Sequence, residues 1–357
     1  MRQRIKRIIK GVTSGTGNIV TRAAKKPLKP RWLVVMTTDR CNSRCKHCNI
    51  WKEKPTENPL SPQELKKILS SPLFSGVEYI LNTGGEATIR GDLEEWFLVE
   101  HEVLPEAKLQ LSTNGLLPDR ALRLAKFAVS RDICLEVGTS LDGVGDKHDF
   151  VRGVPGNFVK VERLLRELTD LKARNPGKLD ISVGFVLSDL SLPLLPDVRD
   201  YVKKEFNLTL NVQWYNESSF YDNKDSGLAR NDEMYRTVKA LPAEMIGSHH
   251  LQHYWLKWLQ GKSIKFSCYA LDTFCVMKCN GDIVPCLSLW DAKAGNMREE
   301  DPEKVWASAQ AMKVRQAVKN CSGCLNQWGA GWSWHSSYFP FIFYYLGHPH
   351  KLLRTVA

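Results

Sequence analysis

Cys41, Cys45 and Cys48 stand at C-x3-C-x2-C spacing, inside the run Thr-Thr-Asp-Arg-Cys-Asn-Ser-Arg-Cys-Lys-His-Cys. Soft thiolates select iron–sulfur clusters or zinc. Three thiolates on one short loop can hold three corners of an iron–sulfur cube and leave its fourth iron open. An open iron can bind and break something, so the spacing predicts chemistry as well as structure. A structural zinc ion is the alternative and would want a fourth ligand close by. His47 and Asp39 are the neighbours on offer, and both would be strained in that role.

A second group of thiols lies far down the chain. Cys268 is followed by Gly281 and Cys286, and much later by Cys321 and Cys324 as C-x2-C. Cys275 and Cys279 are read as sharing one face of a hairpin strand and are left out as ligands. Cys134 is read as a core residue of the fourth strand. Metal-type clustering of thiols needs a reducing compartment, so the cytoplasm is expected.

The elements that must position these loops can be read from periodicity. From residue 32 the chain alternates strand and helix signals. Strands are expected at 32–37, 77–82, 107–112, 133–139, 180–187 and 208–214. Helices are expected at 61–70, 92–101, 118–129, 157–174 and 194–205. Ser61-Pro62 puts a cap before a first-turn proline, and Pro118-Asp119 opens another helix. Apolar strands alternating with helices imply a parallel sheet covered by helices. Six units are too few for a closed eight-stranded barrel, so the expectation is an α/β fold: a partial (β/α)6 TIM-type barrel, with its site at the C-terminal strand ends. Cys279-Asn280-Gly281-Asp282 is a strong hairpin signal. It predicts a small C-terminal β-hairpin-plus-helix domain.

The bulk numbers agree with this organisation. The chain has 357 residues and is 43% hydrophobic, enough for one barrel-sized core and a smaller unit. The expected boundaries are a basic N-terminal segment and linker at 1–31, the barrel at 32–215, a helical connection at 216–265, the cysteine domain at 266–326 and a tail at 327–357. The net charge is +11, yet residues 1–31 hold ten Lys or Arg and no acid. The rest is near neutral, so no nucleic-acid partner is expected. No apolar run is long enough to span a bilayer.

Polar motifs follow the second, third and fourth expected strands. Thr83-Gly84-Gly85-Glu86 follows the second, where glycine permits close backbone approach and a carboxylate can pair with an ammonium group. Ser112-Thr113-Asn114-Gly115 follows the third. Ser140-Leu141-Asp142-Gly143 follows the fourth, and Arg152 comes twelve residues after Ser140. This ordered set, led by the cysteine loop, resembles the radical S-adenosylmethionine (SAM) enzymes. The resemblance implies that Cys41, Cys45 and Cys48 hold a 4Fe–4S cluster whose open iron chelates SAM. It implies SAM contacts from the Gly84-Gly85-Glu86 segment, Asn114, Ser140, Arg152 and His47, the residue before the third cysteine. Arginine suits the SAM carboxylate, which it can grip with two parallel bonds. Ala87 stands where the family usually has proline.

The distant thiols resemble the C-terminal auxiliary-cluster extensions of that family, in the shorter form called twitch rather than the longer SPASM form. The resemblance implies one auxiliary cluster on Cys268, Cys286, Cys321 and Cys324, acting in electron transfer, with zinc on the same thiols as the alternative. Leu287 follows Cys286 where some maturases carry an aspartate, so a catalytic base is not identified. The implied activity is reductive cleavage of SAM to a 5′-deoxyadenosyl radical, which takes hydrogen from an unactivated carbon. The implied partners are a flavodoxin- or ferredoxin-type reductant and a peptide, small-molecule or lipid-linked substrate. An iron–sulfur electron carrier or zinc module is the non-enzymatic alternative.

The two ends carry a further expectation. Ile5, Ile8, Ile9 and Val12 form one face of a basic amphipathic helix that breaks at Thr13 to Gly17. Nine aromatics lie between Trp328 and Tyr345, and no acidic residue follows Glu303. The first reading packs this tail over the barrel mouth. The second pairs both ends with an anionic membrane, as peripheral contact at its inner face, and makes the chain a membrane-surface enzyme acting on a lipid- or sugar-linked substrate.

Overall fold

A computed structural model describes residues 16–22, 26–215, 217–223, 232–246, 249–262, 267–321 and 327–337. Six parallel strands form the barrel wall: β1 (Trp32–Thr38), β2 (Tyr79–Gly84), β3 (Lys108–Ser112), β4 (Leu135–Ser140), β5 (Leu179–Leu187) and β6 (Leu210–Trp214). They pair in sequence order, each with the next, as β1 to β6 of one open sheet. All seven residues of β1 are buried, as expected of a strand covered on both faces.

Helices cover the outer face. They are α2 (Pro62–Leu69), α3 (Leu93–Val103), α4 (Pro118–Ser130), α6 (Asn157–Arg174) and α7 (Leu195–Phe206), each following its expected pattern. A short α5 (Asp146–Arg152) precedes α6. It was not expected from periodicity, because seven residues are too few to show a repeat. Ser61 and Glu64 form a reciprocal capping box at the start of α2, with Pro62 in its first turn. One large apolar core, including Leu33, Val35, Trp96 and Phe97, lies between the sheet and α2 to α4. A second, around Phe185, Val212 and Trp255, lies under α6, α7 and the connecting helices α8 (Asp232–Ala240), α9 (Ala243–Ile246) and α10 (His249–Leu259).

The auxiliary region continues this sheet. β7 (Phe274–Met277) pairs in parallel with β1, and β8 (Asp282–Val284) and β9 (Gly295–Asn296) follow antiparallel. Gly281 sits in the hairpin turn at φ +92°, a conformation open to glycine. Helices α11 (Pro302–Ala307) and α12 (Ala309–Lys319) pack behind the hairpin, and Arg298 bonds Glu64 of α2 at 2.7 Å.

Four sequence expectations change. Residues 16–22, expected as linker, form helix α1. Arg22 of α1 bonds the Cys268 carbonyl at 2.6 Å, pairs with Asp272 at 2.9 Å and lies 4.5 Å over the Tyr269 ring. Cys134 is exposed, one residue before β4 begins. Cys275 and Cys279 do not share a face, because β7 ends at Met277 and the turn carries Cys279 to the other side. Cys275 packs in the outer core, and Cys279 packs on the barrel-interior side with Val34 and Met36.

The fourth change concerns the tail. In helix α13 (Gln327–Ser337), Trp332 stacks on Trp32 at 6.1 Å and lies 5.4 Å from Phe274 and 6.5 Å from Tyr79. These three begin β1, β7 and β2, side by side in register. The described part of the tail therefore packs at the N-terminal ends of these strands, opposite the mouth. The amphipathic face Ile5 to Val12, Cys324 and residues 338–357 lie outside the described residues.

Candidate functional site

The barrel mouth holds a cavity of about 250 Å³. One wall is the cysteine loop, with Cys41, Cys45, His47 and Cys48. Gly84, Gly85, Glu86, Asn114, Ser140 and Arg152 also line it. Every SAM-site residue expected from sequence, and the first thiol triad, thus reaches one cavity. Strand polarity explains the convergence: parallel strands deliver all their following loops to the same end.

Several contacts hold the cysteine loop. The chain leaving β1 bonds the glycine turn, with Gly85 N–H donating to the Thr38 carbonyl at 2.9 Å and Glu86 N–H to the Arg40 carbonyl at 2.8 Å. A Cβ on Gly85 would overlap the Arg40 carbonyl, and one on Gly84 that of Thr38. Both glycines are therefore needed for the approach of the cysteine loop, where sequence reasoning assigned them to a ligand. On the other side, Arg44 and Lys46 N–H groups donate to the carbonyls of Arg152 and Val151. Gly153, at φ +68°, lies where a Cβ would meet the Arg44 carbonyl. Asn49 bonds the Tyr221 carbonyl, and Asn223 bonds the His47 carbonyl at 3.1 Å.

Glu86 has a different job from the expected one. Its buried carboxylate accepts bonds from the Thr88 N–H at 3.0 Å, the Thr88 hydroxyl, the Thr113 hydroxyl at 2.7 Å and the Asn114 N–H at 2.6 Å. Burial pushes its carboxyl above the usual range, and these donors hold it back. Its oxygens are thus spent on tying the β2 loop to the β3 loop. Sequence reading offered this carboxylate to an ammonium group; in the structure it gathers these four donors while still lining the cavity. The fixed loop then places Asn114, whose amide donates to Asn42 at 2.8 Å within the cysteine loop.

Arg152 is buried and pairs with fully buried Asp142 at 2.7 Å. It also reaches Cys45 Sγ at 3.9 Å. Burial raises the Asp142 carboxyl, but the guanidinium and the Val186 N–H bring it below the usual range on balance. Arg152 Nε is buried with no hydrogen-bond partner, leaving a donor for a ligand. His148 accepts from the Asp142 N–H at 3.1 Å and bonds Asn157 at 2.7 Å, bracing this corner. The half-buried His47 ring is pushed down to about 4, first by burial and then by Arg152, so it is neutral at pH 7.

The donor set fits an iron–sulfur cluster with SAM. Three half-buried thiols face the cavity, and burial lifts Cys41 to about 11 and Cys48 to about 12. Such thiols give up protons readily only to a bound cation. Ser43 supplies a hydroxyl 3.1 Å from Cys45 Sγ and an N–H 3.5 Å from Cys41 Sγ. Asp39, the neighbour weighed as a zinc ligand, is occupied by the Thr56 N–H at 2.7 Å and the Thr56 hydroxyl. Among the described residues, no three His, Cys, Asp or Glu side chains form a site for a single metal ion.

At the auxiliary region, Cys268 and Cys286 pack against one aromatic cluster with Trp32, Tyr269, Phe274 and Trp332. Burial raises both thiols, Cys286 to about 12, and Cys321 raises each further by charge repulsion. Three of the four expected ligands are thereby neighbours.

Sequence reasoning missed the wall facing the cysteine loop. Ser182 from β5 and Asn211 and Gln213 from β6 line the cavity, together with Trp214, Phe220 and Tyr221. Alternation along β6 turns Asn211 and Gln213 inward. Polar residues at period two were the available signal.

The chain matches the radical SAM superfamily over residues 35–189 and an iron–sulfur cluster-binding domain, SPASM, over 268–325. It is 32% identical over 184 residues to an Fe-coproporphyrin III synthase of Methanosarcina barkeri, covering 51% of this chain and 42% of that one. The chain thus spans under half the length of that relative. It is 26% identical over 316 residues to a GTP 3',8-cyclase of Sulfurimonas denitrificans, covering 84% and 92%. Among solved structures, anSMEcpe with bound AdoMet aligns with TM-score 0.62 at 18% identity, covering 92% of this chain and all of that one. Streptococcus suis SuiB bound to precursor peptide SuiA aligns with TM-score 0.62 at 18% identity, covering 86% and 70%. Likeness at this identity establishes the fold. No described helix is long and apolar enough to cross a membrane.

Proposed function

The chain joins a radical SAM superfamily domain to an iron–sulfur cluster-binding domain, and on that premise we propose that it takes a hydrogen atom from an unactivated carbon of an uncharged, polar substrate, with a peptide as the favoured class. The domain pair implies a 4Fe–4S cluster, an auxiliary cluster and SAM. When bound, the cluster and SAM supply one electron and a carbon-centred radical able to break a strong C–H bond. Cys41, Cys45 and Cys48 would hold the cluster. Arg152 offers its unpartnered Nε to a carboxylate, while Asp142 keeps it oriented. Ser140 and Asn114 line the same space, and the apolar rim of Trp214, Phe220 and Tyr221 excludes water.

One observation carries the substrate class. Among the described residues, Ser182, Asn211 and Gln213 face the cavity with no side-chain partner in the protein. Carboxamides both donate and accept, so they suit a backbone amide. Among the described residues, the charged side chains that line the cavity are Glu86, whose carboxylate takes four donors, and Arg152, paired with Asp142. A nucleoside triphosphate would need several free cations at this wall to offset its charge. That weighs against GTP, the substrate in one relative's name, and agrees with the peptides named with two fold neighbours.

Anaerobically reduced protein should form 5′-deoxyadenosine from SAM, and Cys45→Ala should abolish it. GTP should neither bind saturably nor accelerate that formation. Saturable GTP binding lost in Gln213→Ala would reverse the substrate assignment. A lipid- or sugar-linked substrate at a membrane rested on the two chain ends, which lie mostly outside the described residues.

A further inference from the structure

The outer face of the cysteine loop carries a second feature that the catalytic cavity does not use. Residues 40–54 contain five cations, Arg40, Arg44, Lys46, Lys52 and Lys54, against one acid, Glu53. Arg44, Lys46 and Lys52 are exposed, and among the described residues none forms an ion pair. Each instead covers an aromatic ring. The Arg44 guanidinium lies 4.6 Å over Trp51, Lys52 lies 5.3 Å over the same ring, and Lys46 lies 4.3 Å over Phe150. Phe150 is 59% exposed, unusual for phenylalanine. The nearby acid Asp149 accepts from the N–H groups of Gly156 and Phe158 and, among the described residues, pairs with none of these cations, which outnumber it.

This patch is fastened directly to the thiol loop. Trp51 Nε1 donates to the Cys48 carbonyl at 3.1 Å, and Arg44 reaches the carbonyls of Cys41 and Ser43. A partner seated here lies over the loop that carries Cys41, Cys45 and Cys48, on a side away from the substrate wall. We propose that Arg44, Lys46, Lys52, Trp51 and Phe150 form the docking surface for an acidic one-electron carrier protein. The inference rests on the reading of this loop as a cluster site. The carrier, a flavoprotein or small iron–sulfur protein, is oxidised by one electron as the cluster is reduced by one. Weak, electrostatically steered contacts over a small area suit a partner that must leave after each transfer. The exposed rings supply close contact, and the surrounding cations supply attraction and orientation.

The test uses purified flavodoxin, an acidic flavoprotein, with the full chain. Lys46→Glu/Lys52→Glu should weaken flavodoxin binding by roughly tenfold or more at low ionic strength, a difference that vanishes near ~0.5 M salt. Lys126→Glu, on the far side of α4, should leave binding unchanged. Stopped-flow reduction by flavodoxin should slow in the double variant, while reduction by dithionite, which needs no docking, keeps its rate. Equal flavodoxin affinity in the double variant and the wild type would overturn the proposal. So would binding to anionic vesicles that the double variant loses while flavodoxin binding persists. Failure of dithionite to bleach the cluster absorbance would count against the cluster reading instead. Flavodoxin affinity measured on the apo chain decides the docking surface separately.

Discussion

Glu86 shows how a residue lining the site can fasten the loops that build it. Its carboxylate gathers four donors from the β2 and β3 loops and is almost wholly buried. Glu86→Gln keeps the shape but turns one acceptor oxygen into a donor that faces other donors. A buried mismatch of this kind costs about 1–3 kcal/mol. The variant should unfold at lower temperature and bind SAM more weakly, as measured by thermal unfolding and equilibrium dialysis. An unchanged melting temperature would show that the loops hold together by other means. Cys134 and Cys279 teach a complementary lesson. Residue type alone favours burial for both, yet only Cys279 is buried. Its thiol lies 3.3 Å from the Thr56 hydroxyl and 3.5 Å from Asp39.

At the scale of elements, α3 is held on β2 by a polar chain inside an apolar core. Trp96 Nε1 donates to Asn82 Oδ1 at 3.0 Å, and Asn82 Nδ2 donates to Glu100 at 2.8 Å. Burial, opposed by those bonds, pushes Glu100 up to about 8, so it is mostly protonated in the folded protein at pH 7. Its folded pKa lies above its unfolded one. Its contribution to stability is therefore complete below about pH 4.5, declines as pH rises and is lost by about pH 8. The loss is of the order of a few kcal/mol. Glu100→Gln, which cannot ionise, should flatten this decline and raise the melting temperature at pH 8.5 relative to wild type. An identical pH profile in both proteins would refute the assignment. The helices and strands themselves were legible because their apolar residues repeat at 3.6 and 2. The short α5 was not, and α1 contains Gly17 and β-branched residues of poor helix propensity, so its contacts to the auxiliary region must override local preference.

Across the whole molecule, the barrel and the auxiliary region share one sheet, and both ends of the described chain pack against it. Arg22 of α1 ties the Cys268 loop through its carbonyl and Asp272, while Asn18 bonds the Ser336 carbonyl of α13 at 2.8 Å. Arg22→Ala should cost about 1–3 kcal/mol, since Asp272 is buried and, among the described residues, its remaining ion pair is the longer one to Arg315 at 3.4 Å. Alkylation of Cys268 in the apo chain should speed up accordingly, read by mass spectrometry. Equal labelling rates would mean that α1 is not needed to hold the loop. Basic residues near the N-terminus thus have at least one structural use, apart from any membrane.

The sequence by itself determined the parallel α/β barrel, the thiol triad and the ordered strand-end motifs. Each is a local signal: a repeat, a spacing, or a turn that follows a strand. The residues it offered for a SAM site line one cavity, because parallel strands carry successive loops to one end. Only the tertiary structure decided what each group is spent on. Glu86 fastens loops, Gly84 and Gly85 make room for backbone, and Arg152 is shared between Asp142 and the cavity. It also placed the tail helix at the N-terminal ends of β1, β2 and β7 and set Ser182, Asn211 and Gln213 in the same cavity as the thiols. These outcomes depend on contacts between residues far apart in the chain, where burial and competition for hydrogen bonds set the result and no local pattern records it.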